Sequence, residues 1–301
     1  LGPDLDPFLF LRWAEYIVQH GQLMINDTMR YVPLGYDTSG EMKLLSYMIA
    51  WFYNILSFFS KEVTVTYAAI IFPVAMSALT GIIFFIFVRK VFYDSFENKN
   101  YPNIIALIAT LFLSILPIIL PRTIAGIPEK ESVGFLLIPL SLYFILSSFK
   151  SKNYTKAGIY GALAGLATAS LALVWGGVIF VFMTIGLSAF FYFMFGQTGK
   201  KELLGIAAWI ITFIPITMFF STRYTINSYL ISTSTMPAFA ALFLIFIQIF
   251  IYPKIKNKKF IKTYKEKYKI PDTIIILAIS SIFLVILSLL ILSLGARIET
   301  N

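Results

Sequence analysis

Runs of about twenty apolar residues recur along nearly the whole chain, at roughly 64–88, 101–120, 132–149, 157–173, 177–195, 203–220, 235–252 and 272–294. At 1.5 Å of rise per residue, a helix of that length matches the ~30 Å hydrocarbon core of a bilayer. No other feature limits the fold so sharply. In hydrocarbon every backbone N–H and C=O must be paired inside the structure, so such runs fold as helices. With 58% hydrophobic and only 13% charged residues, the chain carries more apolar surface than a soluble domain can hide. The expected fold class is all-α, a polytopic transmembrane helical bundle of about eight spans.

The polar stretches between the runs sort by charge. Loops 89–100, 150–156, 196–202 and 253–272 hold 16 Lys/Arg against 5 acidic residues, whereas 1–63, 121–131, 221–234 and 295–301 hold 8 against 10. Lys and Arg accumulate on the cytoplasmic side of membrane proteins. The basic set is therefore expected inside, and "KIKNKKFIKTYKEKYK" (Lys254–Lys269) reads as an anchor at the lipid surface. The +9 net charge is concentrated there, so no nucleic-acid partner is expected. There is no cysteine, which excludes disulfides and thiolate metal sites. The chain opens on "LGPDLDP" with neither an initiator Met nor a signal peptide, as expected for part of a longer protein.

Residues 41–60, "EMKLLSYMIAWFYNILSFFS", allow two arrangements. The apolar part, Leu44–Phe59, gives only about 24 Å of helix and is interrupted by Tyr47, Tyr53 and Asn54. If it spans, Asp6 and Glu129 fall on opposite sides of the membrane. If it lies along the interface as an amphipathic helix, both acidic clusters face the outer compartment. Charge counting favours the second arrangement. The domain layout is then an external loop with an interfacial helix (1–63), followed by a multi-span membrane domain (64–301) with a second acidic motif at 122–131.

The candidate chemistry lies in "GPDLDPFLFLRWAEYI" and "PRTIAGIPEKESVGFLL". Asp4 with Asp6, and Glu129 with Glu131, are carboxylate pairs spaced i, i+2, and supply hard oxygen donors suited to Mg²⁺ or Mn²⁺. Such an ion neutralises a phosphate leaving group. Arg122 is a fixed cation for a carboxylate or a phosphate oxygen. The plainer reading of each pair is a solvated or helix-capping cluster, because acidic residues suit helix N-termini. Two such clusters on one face of a charge-poor protein favour function.

These two stretches closely resemble the acidic loop motifs of the oligosaccharyltransferase catalytic subunit family, in an archaeal, single-subunit flavour. Asp6-Pro7-Phe8 with Arg12 matches the first motif; Arg122, Ala125-Gly126, Glu129 and Glu131 match the second. "LVWGGVIF" (Leu173–Phe180) resembles the family's aromatic-Gly-Gly segment. Two departures stand out. The first acidic position of the second motif is usually Asp, and here it is Glu129. The family's third acidic element and its acceptor-reading "WWDYG" segment in a soluble carboxy-terminal domain are not found, with Glu299 a poor fit to the former.

The resemblance implies the type C membrane glycosyltransferase architecture, in the cell membrane, with the active site on the outer face. It implies inverting, metal-dependent transfer from a polyprenyl (dolichyl) phosphate or diphosphate carrier to Asn in Asn-x-Ser/Thr. The partners implied are that lipid-linked oligosaccharide, the acceptor polypeptide and the bilayer. The roles implied are Asp6 and Arg122 in catalysis, Asp6, Glu129 and Glu131 on Mn²⁺ or Mg²⁺, and Asp4 and Arg12 in support. On this reading the stretch folds by itself but catalyses no transfer alone. The alternatives are another polyprenyl-phosphate-sugar glycosyltransferase, such as a protein mannosyltransferase, or a transporter. The runs contain few charges and no paired broken helices, which disfavours the transporter.

His20, the sole histidine, reads as a loop or interface residue, and Arg223 as a snorkelling side chain that could also approach a carrier phosphate. Asn26-Asp27-Thr28 is a glycosylation acceptor triplet on the outer side; Asn153-Tyr154-Thr155 falls inside and is expected to be inert.

Overall fold

The computed structural model describes residues 1–2 and 5–283. Asp4, Glu299 and the end of the 272–294 run lie outside the described residues. The chain forms α1 (Asp6–His20), a two-residue hairpin pairing β1 (Asn26–Asp27) with β2 (Tyr36–Asp37), and α2 (Leu44–Phe59). Then follow α3 (Val65–Phe92), α4 (Asn100–Ser114), α5 (Lys130–Phe149), α6 (Tyr154–Val174), α7 (Val178–Met194) and α8 (Lys200–Phe220). The last elements are α9 (Ile226–Ile231), α10 (Met236–Phe246) continuing through a π turn into α11 (Tyr252–Ile255), α12 (Lys259–Tyr268), and a helix from Asp272 to Phe283, α13.

Among the described residues, five helical stretches are long and apolar enough to cross a membrane: α3, α5, α6, α8 and the joined Met236–Ile255. Shorter apolar helices are α2, α4, α7 and α13. The run at 101–120 is not helical throughout. Pro117 and Pro121 disfavour helical backbone in the residues before them. The helix ends at Ser114, and the chain continues in tight turns, Ile115 N–H to Phe112 O and Leu116 N–H to Leu113 O (both 3.3 Å), up to Arg122.

The core forms where small residues let helix backbones approach. Gly161 and Gly165 of α6, spaced as G-x-x-x-G, face α8. A Cβ on Gly165 would lie 2.6 Å from the Trp209 carbonyl oxygen, and one on Gly161 would collide with the carbonyl of Gly205. The fully buried Trp209 donates its indole N–H to Thr168 Oγ1 (2.9 Å), so the pair is locked by a hydrogen bond as well as by shape. Phe182 and Phe213 pack on that indole, and Tyr229 packs edge-on against both of them.

Loop contacts separate into two ends. At one, Gly2 N–H donates to Gly126 O (2.8 Å), Gly126 N–H to Ile70 O (2.9 Å) and Thr222 N–H to Ser39 O (3.2 Å). At the other, Lys150 Nζ reaches Asp94 (2.8 Å) and Lys90 O (2.9 Å), and Lys201 Nζ reaches Ser151 O (3.0 Å). Among the described residues, the acidic and basic loops of the charge count therefore gather at opposite ends of the bundle. Met42, just before α2, lies by Gly176 at the acidic end. Residues 60–64, just after it, lead into α3 at that same end, since α3 finishes beside Lys150. α2 begins and ends on one side, against α1, α3 and α6.

Candidate active site at the acidic end

Asp6 opens α1, followed by Pro7, whose missing N–H costs nothing in a first turn. Its carboxylate is exposed. Phe10, one turn on, is buried beneath the Lys130 ammonium, 5.2 Å from its ring centroid, which ties α1 to the start of α5. The Gly2–Gly126 hydrogen bond ties the preceding loop to the second motif. Gly126 has φ +89°, open to glycine and strained for any side chain, which explains the Ala-Gly of the motif. The two acidic loops, about 115 residues apart in sequence, are thus neighbours.

Glu129 is the residue before α5 and is only 4% exposed. The Arg122 guanidinium pairs with its Oε2. A buried carboxylate needs such a partner, because an isolated charge out of water is costly. The Glu129 carbonyl accepts from Ser132 Oγ (2.7 Å), which fixes the helix start. Glu131 sits half-buried in the first turn. Of the two acidic residues, Glu129 is the one that orients Arg122. Trp175 supports this turn from behind. Its indole lies where a Cβ on Gly134 would come within 2.6 Å, and the same ring covers Gly177. The Trp-Gly-Gly segment therefore shapes the second motif's helix.

Sequence reasoning missed Asp27. This carboxylate is 1% exposed in an otherwise exposed loop. Arg12 binds it through both guanidinium NH2 groups (Nη1–Oδ1 2.8 Å), while Trp13 Nε1–H (3.0 Å) and Met29 N–H (3.1 Å) also donate. Chiefly through the Arg12 bond, its carboxyl is held down at about 2. Arg12 is therefore a structural anchor of α1. Beside it, burial pushes the Glu41 carboxyl up, but the Tyr36 hydroxyl with Arg30 and Lys130 outweighs this and holds it below the usual range. His20 stacks on Tyr16 at 4.0 Å, on the last turn of α1.

A groove of about 210 Å³ opens at the same end, with apolar walls from Met42, Val178 and Phe182 and a polar rim of Arg223, Ser228 and Ser232. A cation and hydroxyls above an apolar floor suit an amphipathic ligand with an anionic head. Among the described residues, no three His, Asp or Glu side chains gather about one point. The donor types nevertheless fit a hard cation, because Asp6, Glu129 and Glu131 offer only carboxylate oxygen.

The sequence profile of a family described as oligosaccharyl transferase STT3, N-terminal, matches residues 3–296. STT3 subunits of dolichyl-diphosphooligosaccharide–protein glycosyltransferase are similar over two thirds of this chain: 22% identical over 205 residues in Dictyostelium discoideum and 22% over 202 in Schizosaccharomyces pombe. The chain spans 26% and 25% of their lengths. The fold is that of an Archaeoglobus fulgidus oligosaccharyltransferase solved with Zn and sulfate, with TM-score 0.70 and 18% identity over 95% of this chain and 36% of the other. A second structure of an oligosaccharyltransferase from that organism, with an inhibitory peptide and a dolichol-phosphate, gives TM-score 0.66 and 19% identity over 95% of this chain and 33% of the other.

Proposed function

The chain belongs to the oligosaccharyl transferase STT3 N-terminal family, and from that premise we propose that it is the membrane part of an enzyme moving an oligosaccharide from a polyprenyl phosphate or diphosphate carrier to Asn in Asn-x-Ser/Thr. The observation that carries the proposal is the hydrogen-bonded junction of the two acidic loops at Gly2 and Gly126, which places exposed Asp6 and the Arg122–Glu129 pair at one end of the bundle. The nearby groove supports the carrier: Arg223 faces the phosphate, and Val178 and Phe182 receive the first isoprene units.

The difficulty of the reaction lies in the acceptor. An amide nitrogen shares its lone pair with the carbonyl, and overcoming that conjugation in a peptide costs ~18–20 kcal/mol. Asp6, an exposed carboxylate at the junction, accepts hydrogen bonds from the amide N–H groups and favours a twisted C–N bond. Attack from the face opposite the phosphate inverts the anomeric carbon. Asp6, Glu129 and Glu131 would hold the divalent cation, Mn²⁺ or Mg²⁺. What such an ion supplies is charge neutralisation on the departing phosphate. Arg122 keeps Glu129 in place and balances its charge, so its contribution to transfer runs through that carboxylate.

In the full-length protein, supplied with lipid-linked oligosaccharide and an Asn-x-Thr peptide, Asp6→Asn and Glu129→Gln should each lower glycopeptide formation by roughly 10²–10⁴-fold. Helix content by circular dichroism should be unchanged. Mn²⁺ binding, followed by electron paramagnetic resonance, should weaken in both. Transfer at the unsubstituted rate in either variant overturns the assignment.

A further inference from the structure

The two Asn-x-Thr triplets lie at opposite ends of the bundle, Asn26-Asp27-Thr28 with the acidic loops and Asn153-Tyr154-Thr155 with the basic ones. We propose that Asn26 is itself a glycan acceptor, modified by the transfer activity assigned above, on which this inference rests.

β1 ends at Asp27, and Thr28 opens the turn that follows. Here Asn26 and Thr28 are exposed while Asp27 between them is buried. Both determinants of the acceptor triplet are therefore open to water, and the middle residue anchors the segment. Among the described residues, the Asn26 amide is nearly uncommitted: its Nδ2 reaches Leu34 O, at 3.5 Å. It lies over Gly35, where a Cβ would come within 2.6 Å of that nitrogen. The amide thus lies against the Gly35 backbone across the hairpin, with the residue as a whole still exposed to water.

A second observation concerns the surroundings. Leu34 (86% exposed), whose carbonyl faces the Asn26 amide, and Val32 (74%) expose apolar surface on the same hairpin as the stacked Tyr31 and Tyr36 rings (5.4 Å). Apolar patches of this kind normally have a cover. A sugar chain on Asn26 would lie across them, with its C–H faces on the rings and its hydroxyls to solvent.

Asp27 is fixed by Arg12, Trp13 and Met29, so the closed hairpin does not thread through another molecule's acceptor groove. Transfer precedes closure, in trans, on the extended loop. Asn26 Nδ2 bonds to the anomeric carbon as the bond from that carbon to the carrier phosphate oxygen breaks. The phosphate leaves with the electron pair, and the Nδ2 proton passes to the enzyme's carboxylate and on to water. Asn153 has a different task, because its Oδ1 accepts from Thr155 N–H (2.8 Å) and caps α6 at the basic end.

The test is mass spectrometry of the full-length protein from its native membranes, on peptides covering 13–30 and 150–160. Asn26 peptides should carry the oligosaccharide mass, lost in Asn26→Gln, and Asn153 peptides should be bare. Bare Asn26 in membranes whose other acceptor proteins are glycosylated overturns the proposal. A glycan on Asn153 overturns the orientation of the bundle. An Asp6→Asn strain separates the two failures: if its other glycoproteins lose their glycans, the transfer reading stands whatever the state of Asn26.

Discussion

Asp27 is a carboxylate that the surrounding sequence gives no reason to bury, yet it fixes the position of α1. It accepts hydrogen bonds from the Arg12 cation and from the neutral donors Trp13 Nε1–H and Met29 N–H. Its carboxyl sits at about 2 rather than 3.8, a difference of about 2 kcal/mol in favour of the folded loop. Because the folded value is depressed, this stability is fully present above the unfolded value and is lost as pH falls through about 2. Asp27→Ala should therefore raise hydrogen exchange across residues 22–40 roughly 30-fold at neutral pH. Unchanged exchange would mean that the apolar contacts of Trp13 and Ile17 hold the loop unaided. The two motifs could be picked out in the sequence by residue type alone: an Arg, an Ala-Gly pair and spaced acids. The Asp27 partnership could not. Arg12 and Asp27 are 15 residues apart across a turn, and no periodicity joins them. Likewise, Trp175 against Gly134 becomes visible only when two helices meet.

At the scale of elements, hydrophobic runs located the helices well, and the errors have physical causes. The run at 101–120 ignored Pro117 and Pro121, which end α4 early. The run at 235–252 hid a π turn at Ile247–Ile251, where Gln248 Oε1 accepts from Thr198 Oγ1 (2.7 Å) and the local backbone widens. Helix pairing was not legible at all, because a Gly in a span looks alike whether it faces lipid or a neighbour. The α6–α8 contact gives the test. Gly161 faces the Gly205 backbone, which has nowhere to go, whereas Gly158 faces the flexible Leu204 side chain, with its nearest atom 3.5 Å from the would-be Cβ. Gly161→Leu should destabilise the bundle by about 1–3 kcal/mol in mixed-micelle unfolding and disturb the Trp209–Thr168 bond in tryptophan fluorescence. Gly158→Ala should change little. Equal effects would remove the special role of the G-x-x-x-G spacing.

For the whole molecule, the sidedness of the loops decides whether the acidic end can meet carriers and acceptors in the outer compartment. Charge counting separated the loops into two sets, and the same sets meet at opposite ends of the fold. Which end faces out rests on the bias of Lys and Arg toward the cytoplasm. α2 is the element on which the arrangement turns. If it crossed the membrane, everything before it would lie on the side opposite Glu129, and the Gly2–Gly126 junction would not form. The chain has no cysteine, so single cysteines report position without background. Met29 and Glu62, exposed on either side of α2, and Lys152, exposed at the basic end, are the positions to substitute. In intact cells an impermeant thiol reagent should label cysteines at 29 and 62 and spare that at 152, which should react only after permeabilisation. Labelling at 29 with protection at 62 would make α2 a span and separate the two motifs. Labelling at 152 alone would invert the bundle and place the acidic end in the cytoplasm, where the outer-face proposal fails.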